Sequence, residues 1–493
     1  VKPSLRDLAE RTWAKRYALL VRGLGGTDRG TPEGLSLASV GPMVHRILDP
    51  GDRSHVWIAL SVMTGRLPDE SVLGAVAMAS EFDAGEALGD VFARAADRAS
   101  LRREVSLADP DDVLLDVTTT LQTPYTTGIQ RVVRETVARW VAEHPLARPV
   151  VWTSDEAAPR ELTERELAHL TGGTGGARVQ GSDAGARLVV PWRCTFVVPE
   201  VPTSTTRAAA MQALARWSGC RTSAIGYDLV VVTSGETRID HGSETYYSYL
   251  SALQGFTAVA PISGASGAEF GGWAKALDSI GRTGPRLDTV SLPVAIDRAD
   301  ETTRSEVAHV LGTRLPVVLV VGSHEPRKNH LAVLHAAELM WREGREFRLV
   351  FVGGRAWGSE DFGRRVSQLA AVRRPVDVFS GVDDEFLAAA YELARFTVFP
   401  SFNEGFGLPV GESLAMGTPV ITSNFGSMAE IAADGGALTV DPRDDHAIAD
   451  AMRRLLTDEA LLADLVRQAR NRPSRTWDDY AAETWSVLVG DGS

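Results

Sequence analysis

Two short stretches of this 493-residue chain carry residue types suited to polar chemistry. The first is Gly322-Ser323-His324-Glu325-Pro326-Arg327-Lys328-Asn329. Arginine grips an anion with a planar fork and lysine acts as a compact point charge, so the adjacent Arg327 and Lys328 suit a phosphate group. Taken alone, the pair also reads as two solvated cations. The second stretch is Ser401-Phe402-Asn403-Glu404-Gly405-Phe406-Gly407-Leu408-Pro409-Val410-Gly411-Glu412. Gly405 and Gly407 let a ligand approach the backbone, and Pro409 suits a first helical turn. Glu404 and Glu412 supply carboxylates, which accept hydrogen bonds from hydroxyls such as those of a sugar or ribose.

Each stretch follows a short apolar run. Pro316–Gly322 and Arg395–Pro400 read as buried strands, and the spacing predicts helices over Asn329–Glu343 and Leu408–Met416. Further strands at 347–354, 376–379 and 419–422 alternate with helices at 359–372 and 383–393, the pattern of a doubly wound parallel sheet. An earlier block repeats it. Strands are expected at 111–117, 149–152, 187–190, 195–198, 224–232 and 257–262, with helices at 128–143, 206–217 and 244–253. Gly172–Gly176 reads as a flexible loop and Asp297–Arg314 as a polar connection. Two such sheets face a cleft, and ligands of open α/β sheets bind outside the carboxyl ends of the strands.

Residues 1–108 read as a small helical module with no strand and no identifiable chemistry. The division expected is therefore 1–108 helical extension, 109–296 first α/β domain, 297–473 second α/β domain and 474–493 a closing helix.

Composition narrows the function. Lys and Arg number 51 against 64 Asp and Glu, a formal net charge of −13. That argues against a sequence-independent nucleic-acid binder. Two cysteines make neither a disulfide framework nor a zinc site and fit a reducing cytoplasm. No apolar run reaches the ~20 residues of a membrane span, and the first residues lack the pattern of a signal peptide.

With these motifs in place, residues 316–472 resemble the donor domain of family 4 of the retaining glycosyltransferases, which have the GT-B fold of two Rossmann-like domains. The resemblance rests on Glu404 and Glu412 with seven residues between them, on Glu325-Pro326-Arg327-Lys328-Asn329, on Gly417-Thr418-Pro419-Val420-Ile421 and on Glu430-Ile431. It implies that Gly322, Ser323, Arg327 and Lys328 meet the donor diphosphate and that Glu412 holds the ribose hydroxyls. Glu404 would meet the sugar near its 3-hydroxyl, with the amides of Gly405, Phe406, Gly407 and Leu408 facing sugar and diphosphate. Val382 would meet the nucleobase, and the helix after Pro473 would return to the N-terminal domain.

Thr127-Gly128-Ile129-Gln130-Arg131-Val132 resembles a helix start of bacterial members, which would turn Gly128 and Arg131 toward the diphosphate. Tyr227-Asp228 stands where relatives carry His-Asp, so Asp228 and His241 are candidate catalytic residues, with a structural role as the alternative. No cofactor or metal is implied, because Asp109-Pro110-Asp111 precedes its strand and the cations can stand in for a metal. The expected reaction moves a hexose-type sugar from a nucleotide diphosphate to a glycan, lipid-linked or small-molecule acceptor, with bacterial surface polysaccharide as the leaning. A lipid-linked acceptor would bring this cytoplasmic protein to the inner face of the membrane, and a partner contact through 1–108 stays open. The alternative is a non-catalytic sugar-nucleotide or glycan-binding scaffold.

Overall fold

The computed structural model describes residues 4–26, 32, 34–49, 51–123, 127–172, 183, 185–235, 243–312 and 314–490. Two sheets organise them. The N-terminal sheet contains β1 (Glu104–Leu107), β2 (Val113–Asp116), β3 (Ala147–Trp152), β4 (Pro159–Glu161), β5 (Arg187–Val190), β6 (Thr195–Val198), β7 (Arg221–Gly226), β8 (Ala258–Pro261) and β9 (Arg286–Leu287). Their order is β1-β5-β4-β3-β2-β6-β7-β8-β9. Only β4 runs antiparallel to its neighbours among the described residues.

The C-terminal sheet contains β10 (Val317–Val321), β11 (Arg348–Val352), β12 (Val376–Phe379), β13 (Phe396–Phe399), β14 (Val420–Ser423) and β15 (Ala437–Val440). It is parallel throughout, in the order β12-β11-β10-β13-β14-β15. That is the doubly wound order whose direction reverses between the first and fourth strands. Here the reversal lies between β10 and β13, so the cation loop and the glycine loop leave the sheet side by side. Val317-Val318-Leu319-Val320 is buried on both faces, as a central parallel strand requires.

The structure departs from the sequence reading in several places. Residues 1–108 are not wholly helical, because Glu104–Leu107 pairs with β5 as an edge strand. Their helices are not a free-standing body either. Trp13, Leu20 and Trp57 share one apolar core with Leu188, Val190 and Phe196 of the sheet. The strand expected over 224–232 ends at Gly226. The Asp228 carboxylate accepts the Val230 N–H at 3.2 Å and turns the chain into a single helical turn, Val230–Thr233. The polar connection 297–314 holds a helix, Glu301–Leu311, capped by Asp300 and burying Val307 and Leu311. A helix that no periodicity announced, Gly264–Ser279, follows β8. The loop expected at 172–176 lies mostly outside the described residues.

A second core joins the two sheets. Ile225, Tyr227 and Ile262 from one side pack with Phe399, Phe406 and Met428 from the other. The last helix, Trp477–Leu488, packs on helix Gly128–Glu143, with the Trp140 indole donating to the Ala481 carbonyl at 2.8 Å. No helix among the described residues is long and apolar enough to cross a membrane.

Candidate active site

The cation loop is a short, stiff device. Pro326 fixes the backbone at the start of a one-turn 3-10 helix, Pro326–Lys328. Asn329 then takes a left-handed conformation (φ 58°) and ties its side-chain amide to the Pro442 carbonyl at 2.7 Å. The next helix begins at His330. Glu325 is held from two sides, by the Trp357 indole at 3.0 Å and by Arg327 at 2.6 Å. Trp357 thus contributes a hydrogen-bond donor to the loop.

The glycine loop is stitched to it. The Arg327 carbonyl accepts the Phe402 N–H at 2.9 Å and the Ser401 hydroxyl at 3.0 Å. Glu404 lies between the two cations, 2.6 Å from the Lys328 ammonium and 2.7 Å from Arg327. Ser401 donates to the same carboxylate at 2.7 Å. Burial alone would raise the Glu404 pKa, but Arg327 and Lys328 outweigh it and pull the carboxyl down to about 2. For Arg327, burial is outweighed by Glu404 and Glu325, and the guanidinium titrates above its usual range. The sequence reading gave the cations to a diphosphate and Glu404 to a sugar; the structure gathers all three into one charged cluster. Lys328 also lies 4.9 Å from the Phe399 ring centre.

Gly405 and Gly407 each answer a local demand. A Cβ on Gly405 would come within 2.7 Å of the Tyr227 carbonyl and 2.9 Å of the Asp228 carboxylate. Gly407 takes φ 100°, open to glycine at little cost. The N–H groups of Gly405, Phe406 and Gly407 donate to no acceptor among the described residues, although all three residues are buried. Buried amides are nearly always paired, so this loop presents unused donors. Gly322 and Ser323 begin the neighbouring loop, and Leu408 opens the helix that follows.

Across the cleft, Asp228 is partly buried against Gly405. Burial raises its pKa to about 6, with Arg327 pulling the other way. Tyr227, at the position of the missing histidine, turns into the core, where its hydroxyl donates to the Pro199 carbonyl at 2.7 Å. His241 lies outside the described residues. Arg131 crosses the cleft to Glu412 at 2.5 Å and donates to the Ala295 carbonyl at 3.0 Å. Glu412 also accepts the Tyr391 hydroxyl at 2.9 Å. The carboxylate assigned to a ribose and the guanidinium assigned to a diphosphate are thus paired with each other. Gly128 stands against Leu408, where a Cβ would approach to 3.1 Å. Val382 follows β12 and packs partly against the apolar cluster under that end of the sheet.

Sequence reasoning missed several residues. Asn403 reaches across to Thr233 (3.1 Å), Ser234 (3.1 Å) and Glu269 (3.3 Å). His324 and His330 are buried beside the cation loop against Phe362, and burial lowers the pKa of both. Pairwise geometry of this kind leaves no periodic trace. Among the described residues, no three His, Cys, Asp or Glu side chains form a group that could hold a metal ion.

A basic–acidic cluster and glycine amides without partners thus stand over a Rossmann strand order. Residues 302–472 match the family Glycosyl transferases group 1. The match takes in Arg327, Lys328, Glu404 and Glu412, and leaves out Gly128, Arg131 and Asp228. The chain is 36% identical over 143 residues to the O-antigen chain mannosyltransferase B of Escherichia coli, covering 29% of this chain and 37% of that protein. It is 32% identical over 219 residues to a D-inositol 3-phosphate glycosyltransferase of Corynebacterium glutamicum (strain R), covering 43% and 51%. The chain thus spans about half or less of these relatives' length. In fold it is similar to sucrose-phosphate synthase from Thermosynechococcus elongatus (18% identity, TM-score 0.57, 76% of this chain and 98% of that one). It is also similar to WaaG, a glycosyltransferase involved in lipopolysaccharide biosynthesis (16% identity, TM-score 0.52, 77% and 100%). The two sheets are the GT-B fold, and the segment that matches Glycosyl transferases group 1 contains the whole C-terminal sheet.

Proposed function

We propose that this protein is a retaining, metal-independent glycosyltransferase that moves a hexose-type sugar from a nucleotide diphosphate to a glycan, lipid-linked or small-molecule acceptor. The observation that carries the reading is the row of unpaired amides at Gly405, Phe406 and Gly407 beside Arg327, Lys328 and Glu404. Breaking the anomeric bond leaves oxocarbenium character on the sugar and added negative charge on the leaving diphosphate. Fixed cations and N–H donors aimed at that charge lower the barrier, and the loss of one such donor costs about 3–4 kcal/mol. In this reading Arg327 and Lys328 neutralise the diphosphate in place of a metal, and Glu404, freed by that engagement, accepts from the sugar. The acceptor attacks from the face the leaving group vacates, and a leaving phosphate oxygen takes its proton, so no protein nucleophile is required. The likeness to an O-antigen mannosyltransferase supports bacterial surface polysaccharide as the setting.

The test is a panel of sugar nucleotides scored by thermal shift and by release of nucleoside diphosphate. A binding-only ligand raises the melting point without release. The reading expects one donor to do both, and expects Lys328→Ala and Glu404→Gln to slow release by roughly 10²–10³ while the melting curve stays cooperative. Full turnover in either variant overturns it. Binding without release across many acceptors would favour a sugar-nucleotide-binding scaffold instead.

A further inference from the structure

The glycine loop is held in place by three serine hydroxyls, and two of them belong to the opposite domain. Ser263, the cap of helix Gly264–Ser279, donates to the Gly405 carbonyl at 2.6 Å. Ser266 lies 2.8 Å from the same carbonyl and 2.6 Å from that of Tyr227, so its one proton is shared between the backbones of both domains. Ser427 donates to the Glu404 carbonyl at 2.8 Å. All three serines are essentially inaccessible to solvent. At the rim of the same contact, Glu430 accepts the N–H groups of Gly264 (3.0 Å) and Ala265 (3.1 Å), fastening the start of helix Gly264–Ser279 to the donor domain.

Peptide planarity turns this into chemistry. In a trans peptide the N–H of the following residue points opposite to the carbonyl. Fixing the Glu404 carbonyl on Ser427 fixes the Gly405 N–H, and fixing the Gly405 carbonyl on Ser263 and Ser266 fixes the Phe406 N–H. Those N–H groups are among the donors without an acceptor, and each is directed away from the serine that holds its peptide.

We infer that Ser263, Ser266 and Ser427 are positioning residues that aim the Gly405 and Phe406 amides at the donor's diphosphate, so that the anion site is complete only when the two domains are docked. This rests on the proposed sugar-nucleotide reading. Acceptor-domain contacts thereby set donor-anion stabilisation, which ties the chemical step to closure of the cleft.

The test uses the full chain with Ser266→Ala, Ser427→Ala, the double variant, and Ser263→Thr as the conservative control, because threonine retains both the helix cap and the hydroxyl donor. Amide hydrogen exchange over 404–408 is followed without ligand. Binding of UDP against UMP, and of GDP against GMP, is then measured for each protein that melts cooperatively. Loss of one buried hydrogen bond should speed exchange at Gly405 and Phe406 by up to roughly tenfold and shrink the diphosphate-over-monophosphate preference by a similar factor. Nucleoside monophosphate affinity should hold, and Ser263→Thr should match the parent protein. A double variant whose exchange and diphosphate preference both match the parent overturns the inference. A purely structural role would lower the melting temperature and leave the phosphate preference untouched. If the parent protein binds neither diphosphate, the sugar-nucleotide reading fails instead, and the exchange arm alone still decides whether the serines order the loop.

Discussion

The C-terminal sheet reverses between β10 and β13 and the N-terminal sheet between β2 and β6, and charged side chains crowd both points. At the first, Arg327, Lys328 and Glu404 retain 10–16% side-chain exposure and stand beside amides without acceptors. At the second, Asp116, Glu200 and Arg207 retain 0–2%. Glu200 accepts the N–H groups of Thr119 (2.6 Å) and Thr120 (2.8 Å) as well as Arg207 (3.1 Å). Asp116 accepts the Thr118 hydroxyl at 2.5 Å and the Trp152 indole at 3.0 Å. The same residue types at the same topological position therefore do opposite work. The N-terminal cluster spends most of its polar capacity within its own loops, leaving the Arg207 Nε without a hydrogen bond, and locks the loops after β2 and β6, while the C-terminal loops keep a row of backbone donors in reserve. Unspent hydrogen-bonding capacity, more than charge, separates a candidate site from a staple.

Arg207 and Lys328 break that comparison most directly. Arg207→Leu leaves two buried carboxylates without their cation, and such one-sided removal costs roughly 3–5 kcal/mol. A large fall in melting temperature is expected, measured by calorimetry, with any surviving native protein keeping its donor affinity. Lys328→Ala should do the reverse, with a melting temperature near that of the parent and a loss of roughly 10²–10³ in turnover. If the two variants exchange these phenotypes, the assignment of function to one reversal point and structure to the other is wrong.

Arg131 tests the bridge between the sheets. Its pairing with Glu412 is partly buried, at 24% and 8% side-chain exposure, and a hydrogen bond between charged groups contributes about 1.5–3 kcal/mol. Arg131→Gln should therefore cost less stability than Arg207→Leu, raise the donor KM and leave kcat less affected. A rise in kcat with no change in KM would mean that Arg131 restrains opening and does not support the donor side.

Legibility in the sequence follows the same divide. β10 and helix Gly128–Glu143 announce themselves because their signals are local, an apolar run in one case and a cap with helical periodicity in the other. The cation and glycine loops were found because glycine, proline and charge cluster within a dozen residues. The edge strand Glu104–Leu107 and the two-strand contacts of β4 left no such mark, since their pairing partners lie far along the chain. Site contacts divide likewise. Arg327, Lys328 and Glu404 were named from sequence, yet their mutual pairing was not, because it depends on two loops meeting across β10 and β13. Ser263 comes just past the strand expected over 257–262, but nothing local says that its hydroxyl meets Gly405. Tyr227 shows the converse: its position suggested a cleft residue, and packing sent the ring inward.

The smallest expected effect is a pH dependence, and it sharpens the contrast between the two carboxylates that face the cleft. Burial raises Asp228 from 3.8 to about 6 in the folded protein. The native state then binds a proton more tightly than the unfolded chain, so this group's stabilising contribution is full below about pH 4 and is lost as pH rises toward 6. Glu404 has the opposite sign. Its folded value of about 2 lies below 4.5, so its contribution is full above pH 4.5 and is lost as pH falls toward 2. Denaturant melts between pH 4 and 6 should therefore show a downward slope that Asp228→Asn flattens, while Glu404→Gln lowers the curve by a constant amount above about pH 4.5 and alters its slope only below that. An Asp228→Asn curve parallel to that of the parent across pH 4–6 would mean that water reaches this carboxylate despite Gly405, and that the contact between the two domains there is looser than the 2.7 and 2.9 Å approaches allow.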